Sequence, residues 1–317
     1  MLALIVLLQA LTLAVSGPAT SPEYLPIWVA AGHGHFDRQG LRITLKSTRS
    51  EVGAAEALAQ GQADLVATSL EAILRFGIRD AQNPRLFFGL TAAPPVALVI
   101  DTRHAGRVRT VQDLAGFRVG LSAPGAPEHA WLNALLARAG LTPSQVHILS
   151  VGERGLERAL IAGDVHAVIV PDPAATRLLA ERRGNLLADL RTPVDAQRAL
   201  DAPTVNAAVF LRVERHVGEK ELAAFARAVL AAEDLITAGA TSALAAKLPR
   251  NVVGTTEEFE ARVQQAKTLY LARGRVTGKQ LESTQDFLRD QLSLPSRARL
   301  QLLMPGRLGV IPGQPLR

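Results

Sequence analysis

Hydroxyl and carboxyl side chains recur at matching places in two stretches of the chain. Ser16 and Ser122 each end an apolar run, and Glu23 and Glu128 follow them by six or seven residues, just before apolar helical runs. Serine hydroxyls donate and accept hydrogen bonds, whereas an ionised carboxylate only accepts. Free N–H groups at helix starts attract anions. This pattern is typical of a site that binds a small polar or anionic molecule.

Further candidate ligand-binding residues lie at the other strand-to-helix junctions. We predict that loops at these junctions line one site, because ligands bind open α/β sheets outside the carboxyl ends of the strands. The predicted ligand-binding residues are Ser16, Tyr24, Thr68, Ser69, Ser122, Gly125, Glu128 and Asp172.

Three acidic residues have two interpretations each. Glu23 and Glu128 either cap the helices that they precede or recognise an amine of the ligand, since a carboxylate there competes with an anion for the helix dipole. Asp172 either meets a cation or starts the next helix through its backbone. The sequence leaves both choices open.

Catalytic and metal-binding patterns are weak. His33 and His35 are possible metal ligands, but they lie at a helix end, where a protonated histidine interacts favourably with the helix dipole. His129 beside Glu128 is the candidate acid/base pair of an enzyme, with a cleft-rim histidine as the alternative. No Ser-His-Asp pattern or phosphate-binding glycine loop is visible. The chain has no cysteine. We therefore predict no catalytic residue, metal site or cofactor.

Composition argues against a nucleic-acid partner. Aromatic residues make up 4 % of the 317 residues, too few for a base-stacking surface. The net charge of +6 is concentrated near the end, because residues 293–317 contain four arginines and no acidic residue, which leaves about +2 elsewhere. We interpret residues 293–317 as a basic C-terminal tail that is solvated or makes a surface contact.

Both stretches repeat one order of elements. Each reads strand, loop, helix, strand, helix and strand, over residues 11–69 and again over residues 118–170. Such βαβαβ units form parallel sheets with right-handed crossovers. We predict an α/β protein of two lobes, each a mostly parallel sheet flanked by helices, with the site between them.

The order of elements also predicts domain boundaries. Residues 11–100 and 205–292 are assigned to lobe 1, and residues 104–202 to lobe 2. The two passages, near residues 100–103 and 202–206, are expected to form a two-strand hinge, with one extended sheet as the alternative. The helices after residue 211 are expected to pack around lobe 1.

The amino terminus has two interpretations. Residues 1–10 are apolar without a basic region, so they are either a shortened export signal or an extension of the strand predicted over residues 11–16.

Four motifs in register resemble a known family. They are Tyr24-Leu25-Pro26-Ile27-Trp28-Val29-Ala30 with Gly34-His35-Phe36-x-x-x-Gly40-Leu41; Ala57-Leu58-x-x-Gly61-Gln62-x-Asp64-Leu65; Thr110-Val111-x-Asp113-Leu114-x-Gly116-Phe117-x-Val119-Gly120; and Leu135-Leu136-x-x-x-Gly140-Leu141-x-Pro143-x-x-Val146. Together they are similar to nitrate/sulfonate/taurine (SsuA/THI5-like) substrate-binding proteins of ABC importers.

The resemblance implies a type II periplasmic-binding-protein architecture, a hinged cleft and no catalysis. It further implies a periplasmic location, although with an atypical export signal, and a monomer whose partners are a small-molecule solute and an ABC permease. Two alternatives remain. One is an enzyme on this fold, like those of menaquinone synthesis, that uses a cleft histidine or carboxylate. The other is a ligand-sensing module.

Overall fold

The structure is a computed structural model that describes residues 10–78, 84–124, 126–212, 217–292 and 299–303. Within these ranges the strands are β1 Leu11–Val15, β2 Ile43–Ser47, β3 Leu65–Ser69, β4 Arg85–Gly89, β5 Val96–Asp101, β6 Arg118–Leu121, β7 His147–Ser150, β8 Ala167–Pro171, β9 Gly184–Asp189, β10 Ala207–Leu211 and β11 Gln301–Leu302.

Helices alternate with these strands through most of the chain. They are α1 Leu25–Gly32, α2 His35–Arg38, α3 Glu51–Ala59, α4 Leu70–Ala72, α5 Pro127–Arg138, α6 Leu156–Ala162, α7 Ala174–Ala180, α8 Pro193–Leu200, α9 Glu219–Ala238, α10 Thr241–Ala245, α11 Arg250–Val253, α12 Thr256–Leu269 and α13 Gly278–Leu292.

Two sheets form two lobes. The first has the order β11-β4-β10-β3-β1-β2, and the second has the order β7-β6-β8-β5-β9. In each sheet the first strand of a βαβαβ unit lies between its two parallel partners, β1 between β2 and β3 and β6 between β7 and β8. The returning strands β10 and β5 are antiparallel to their neighbours. The predicted duplication and the mostly parallel sheets are therefore confirmed.

The position of β5 corrects the predicted outward passage. β5 pairs with β8 and β9 of the second sheet, so the chain leaves the first lobe at residues 90–95 and not at residues 100–103. The strand is buried along its whole length, and a buried apolar strand carries no signal of which sheet it joins. The return passage leads into β10, which lies in the first sheet.

The helices after β10 divide between the lobes. α9 packs on α1, and its Phe225 ring lies 5.2 Å from that of Phe36 in the first lobe. α13 packs instead on α5 of the second lobe, where Phe287 lies 5.3 Å from the buried Trp131. The prediction that every late helix packs around the first lobe is therefore wrong for α13, because its Phe287 packs on Trp131 of α5.

α13 also reaches back to the first lobe. The Gln285 side chain exchanges two hydrogen bonds with the backbone of Leu300, and the next residues form β11 beside β4. The Thr284 hydroxyl accepts a hydrogen bond from the Val205 backbone in the return passage. We call α13 together with residues 299–302 the strap, since these described residues contact both lobes and one passage between them.

Both tryptophans are core residues. Trp28 is 7 % exposed in α1, and Trp131 is 1 % exposed in α5. No helix in the described ranges is both long and apolar enough to span a membrane. The interpretations of residues 1–9 and of most of the basic tail fall outside the described residues.

Candidate functional site

The loop after β1 begins at Ser16, which the sequence predicted as a ligand-binding residue. Ser16 is fully buried, and its backbone N–H donates a 3.0 Å hydrogen bond to Ala67 in β3. Its hydroxyl lies beside the Tyr24 phenol. A Cβ atom on Gly17 would lie 2.4 Å from the Thr48 carbonyl oxygen, so the loop requires glycine at this position.

Tyr24 lies in a 3-10 turn, Pro22–Tyr24, that precedes α1. Its side chain is buried, and its hydroxyl donates a 2.8 Å hydrogen bond to Oε1 of Glu51. The predicted residue Tyr24 is therefore joined to the first residue of α3 at the same edge of the sheet.

Thr68 and Ser69 converge on the same helix start. The Ser69 hydroxyl donates to Oε2 of Glu51 at 2.7 Å and accepts from the Ala72 N–H at 3.2 Å, which caps α4. The Thr68 hydroxyl donates to the Glu51 carbonyl oxygen at 3.1 Å. The sequence analysis did not single out Glu51, although its place in the first helical turn after β2 is a signal of the same kind as Glu23.

Glu23 fills the space between this edge and the return passage. Its Oε1 accepts a 2.7 Å hydrogen bond from Asn206, and its Oε2 accepts one of 2.8 Å from Ser21. Burial raises the pKa of Glu23, because the ionised carboxylate loses its hydration. The negative charge of Glu51 raises this pKa further, because the two like charges repel each other. Asn206 is a second residue that the sequence analysis missed.

Glu51 and Glu71 add two more carboxylates to the first lobe. Removal from water raises the pKa of Glu51 despite the donors Tyr24 and Ser69. Burial also raises the pKa of Glu71, whose Oε1 accepts a 2.9 Å salt bridge from Arg75. The other oxygen of Glu71 is buried and has no hydrogen-bond partner among the residues that the structure describes.

Ser122 and Glu128 form the corresponding edge of the second lobe. The Ser122 backbone N–H donates a 3.2 Å hydrogen bond to Glu128 Oε1, and the Ser122 hydroxyl donates to the same oxygen. Glu128 thereby closes the loop that leads into α5. The predicted residue Gly125 lies outside the described residues.

The charge of Glu128 in the second lobe acts on carboxyl groups of the first-lobe edge. The negative charge of Glu128 raises the pKa of three first-lobe carboxyls, those of Glu23, Glu51 and Glu71. Coulombic interaction of this kind requires proximity. Hydrogen bonds thus bring Tyr24, Thr68 and Ser69 together around Glu51 in the first lobe, and join Ser122 to Glu128 in the second. We call Glu23, Glu51, Glu71 and Glu128 the cleft carboxylates.

Asp172 is engaged within the second lobe. Its Oδ1 accepts 2.8 Å and 2.9 Å hydrogen bonds from the N–H and hydroxyl of Thr176, and Arg191 lies 3.4 Å away. The carboxylate thus binds an N–H of the first turn of α7 through its side chain and not, as the helix-start interpretation had it, through the backbone. Its contact with a ligand stays a prediction.

The two histidines near α1 have separate local contacts. Nε2 of His33 lies 3.1 Å from the Leu244 carbonyl oxygen, and Nδ1 of His35 lies 2.9 Å from the Arg38 guanidinium. Across the described ranges, no group of three or more histidine, aspartate or glutamate side chains is arranged to hold a metal ion.

Comparison with known proteins gives one family and many similar folds. The model of the family described as NMT1/THI5 like matches residues 21–240. A search of curated protein sequences finds no significant match.

Solved structures resemble the chain over nearly all of its length. The periplasmic aliphatic sulphonate binding protein SsuA from Escherichia coli is 16 % identical, with a TM-score of 0.70 over 94 % of this chain and 97 % of that one. The periplasmic nitrate-binding protein NrtA from Synechocystis is 13 % identical, with a TM-score of 0.56 over 86 % and 74 %.

A Candida albicans gene product described as having the generic periplasmic binding protein fold is 14 % identical, with a TM-score of 0.60 over 94 % and 98 %. These likenesses confirm the predicted periplasmic-binding-protein fold.

Proposed function

Because the chain belongs to the NMT1/THI5-like family, we propose that it is a solute-binding protein that captures a small polar molecule between its lobes for an ABC importer. The observation that carries the proposal is that each lobe has hydroxyl groups at the carboxyl end of a parallel strand. Ser69 ends β3 and Ser122 directly follows β6, and Tyr24, in the turn before α1, is joined to Ser69 through Glu51.

The proposed mechanism is closure over the solute. Two short passages, residues 90–95 and 201–206, join the sheets, so the lobes can rotate about them. A solute that contacts both edges binds the closed form more tightly than the open form and shifts the population toward it. The closed form is then the one that the permease recognises.

The proposed ligand contacts are the residues that the sequence predicts. Ser16, Tyr24, Thr68 and Ser69 supply hydroxyls from the first lobe. Ser122, Gly125, Glu128 and Asp172 are proposed for the second. The solute is held by hydrogen bonds, and no covalent step is needed.

The location and partners are likewise proposed. Relatives of the same fold from Escherichia coli and Synechocystis are described as periplasmic. We place this chain in the periplasm as a monomer that delivers its solute to an ABC permease.

Mass spectrometry of small molecules that co-purify with the chain tests the proposal. We expect one solute at a stoichiometry near one per chain, released unchanged on unfolding. Small-angle scattering should then show that adding the solute back reduces the radius of gyration. A chain that co-purifies with nothing and never contracts would contradict a binding protein.

An enzyme on the same fold is the second candidate, because Glu51 has a raised pKa and bonds to the Tyr24 hydroxyl, an arrangement suited to proton transfer. The released molecule distinguishes the two, since conversion of the solute during incubation would favour the enzyme.

A further inference from the structure

His166 joins three strands of the second sheet, at the end that is remote from Ser122. Its carbonyl oxygen accepts a 2.9 Å hydrogen bond from the N–H of Asp101, the last residue of β5. Its N–H donates a 2.9 Å hydrogen bond to the carbonyl oxygen of Arg118, the first residue of β6. Since β8 begins at the next residue, His166 ties β5 and β6 to the start of β8.

The imidazole ring of His166 makes one further bond to β6. Its Nδ1 accepts a 3.0 Å hydrogen bond from the backbone N–H of Arg118. The Arg118 side chain holds the turn before His166, since its guanidinium donates to the carbonyl oxygens of Gly163 and Asp164 at 2.9 Å and 2.7 Å. A ring nitrogen accepts a hydrogen bond only while it carries no proton, so the bond from the Arg118 N–H requires a neutral His166.

Protonation of His166 turns this acceptor into a donor. An imidazolium carries an N–H on both ring nitrogens. Two N–H groups would then point at each other between atoms that are 3.0 Å apart, so the ring or the strand has to move. In either case the first residue of β6 loses the bond from its N–H.

Titratable and charged groups surround the ring. Asp101 and Arg118 lie on neighbouring strands, and Arg103 and His104 lie in the turn after β5. The ring centroids of His104 and His166 are 4.5 Å apart, and Nδ1 of His104 lies 4.0 Å from Oδ2 of Asp101. Burial lowers the pKa of His166 from its ordinary value of 6.5, and the neighbouring positive charges add to this effect. The negative charge of Asp101 acts in the opposite direction.

We propose that His166 is an acid-sensitive switch, which holds the start of β6 in the second sheet while its ring is neutral and releases it when the ring takes up a proton. β6 is the strand that leads directly to Ser122, so the switch acts on the strand that supports the second-lobe edge of the candidate site. The switch operates with or without a bound solute.

The direction of the pH effect follows from the lowered pKa. The folded chain binds fewer protons at His166 than the unfolded chain does, so its contribution to stability is lost as the pH falls from 6.5 toward the lowered pKa. The raised pKa values of the first-lobe carboxyls Glu23 and Glu51 act in the opposite direction. A loss of order at β6 in acid therefore cannot come from those carboxyls, and a local measurement is needed to detect it.

Amide hydrogen exchange of Arg118, followed by NMR on the full chain at pH 7.5 and pH 4.5, tests the proposal. After correction for the intrinsic exchange rate, we expect the protection of this amide to fall tenfold or more at pH 4.5. His166→Asn should keep its protection at both pH values, because an asparagine side-chain oxygen accepts a hydrogen bond and does not titrate. His147→Asn is the matched control, since His147 is exposed and lies opposite Arg118 on β7, and it should show the same loss as the parent.

A second measurement needs no substitution. Long-range proton–nitrogen spectra of the parent should show Nδ1 of His166 without a proton at pH 7.5, and its protonation should coincide with the loss of protection at Arg118. Any of three results would overturn the switch: equal protection of the Arg118 amide at both pH values in the parent, a loss that persists in His166→Asn, or a proton on Nδ1 at pH 7.5.

Discussion

The hydroxyl of Tyr24 lies 2.8 Å from Oε1 of Glu51 and donates a hydrogen bond to it. This bond joins the turn after β1 to the start of α3, so two loops at one sheet edge are fixed relative to each other.

Tyr24→Phe should cost about 1 kcal/mol of stability, with a larger cost at pH 8 than at pH 5. The bond stabilises the ionised form of Glu51, which predominates at high pH. Urea unfolding at both pH values measures this. Tyr270→Phe is the control, because its hydroxyl donates to the Pro22 carbonyl, which does not titrate. Equal costs at both pH values for Tyr24→Phe would contradict the prediction.

Stability should fall as the pH rises from 5 to 8. Burial raises the pKa of Glu233 in α9 from 4.5 to about 8, and the charge of Asp234 adds to this effect. Between these values the folded chain binds more protons than the unfolded chain, so unfolding becomes easier with rising pH. Each pKa unit contributes about 1.4 kcal/mol, which gives a loss of a few kcal/mol.

Glu233→Gln should remove much of that slope, since an amide does not ionise. Chemical denaturation of the two proteins at pH 5 and pH 8 checks this. Raised pKa values of Glu23 and Glu51 contribute in the same direction, so some slope should remain. A variant that loses as much stability as the parent over this range would refute the assignment to Glu233.

Ser69→Ala should reduce both stability and solute affinity. It removes the cap on the Ala72 N–H and a donor to Glu51, and the loss of a cap costs about 1 kcal/mol. Ser50→Ala is the matched control, because Ser50 caps α3 from an exposed position. We expect both variants to melt earlier and only Ser69→Ala to bind the co-purified solute more weakly. Unchanged affinity would place Ser69 outside the site.

Phe287→Ala should destabilise the chain by about 2 kcal/mol, since the ring is partly buried against Trp131. Asp290→Ala, an exposed change on the same helix, should cost little. Thermal unfolding followed by circular dichroism compares them. If the two variants unfold at the same temperature, the packing of α13 contributes little to the stability of the second lobe.

Gly17→Ala should cost more than 1 kcal/mol, because the added Cβ would lie 2.4 Å from the Thr48 carbonyl and force the loop after β1 to move. Gly106→Ala places its Cβ in open space and should be tolerated. Denaturation midpoints of the two variants give the comparison. A stable Gly17→Ala with full solute affinity would show that this loop adapts freely.

Local patterns were sufficient to predict the repeated units. Ser16 and Ser122 directly follow the matching strands β1 and β6, each of which lies beside parallel neighbours. Each serine is preceded by an apolar run and followed by a turn and a helix start, so the sequence alone indicates that the two positions correspond. The edge of a parallel sheet then brings Ser69 and Tyr24 to one place. This part of the fold and site depends on neighbours in sequence, which is why it could be predicted.

The remaining features depend on distant contacts. β5 is apolar on both faces, so its sequence fits either sheet. The apolar residues along one side of α13 indicate that this helix packs against another part of the protein, but they do not identify Trp131 as the contact. Glu51 could not be assigned to the site from the sequence, because its partners, Tyr24 and Ser69, are 27 and 18 residues away. Asn206 is 183 residues from Glu23.

The contacts of the strap allow the rotation of the lobes to be followed by intrinsic fluorescence. Its β11 end is hydrogen-bonded to β4, whereas its Phe287 ring rests on Trp131 in the other lobe. A rotation about the two passages therefore changes either the hydrogen bonds between Gln285 and Leu300 or the contact between the Phe287 and Trp131 rings. A change in the ring contact alters the surroundings of the Trp131 indole, so its emission should follow opening and closing without an attached label.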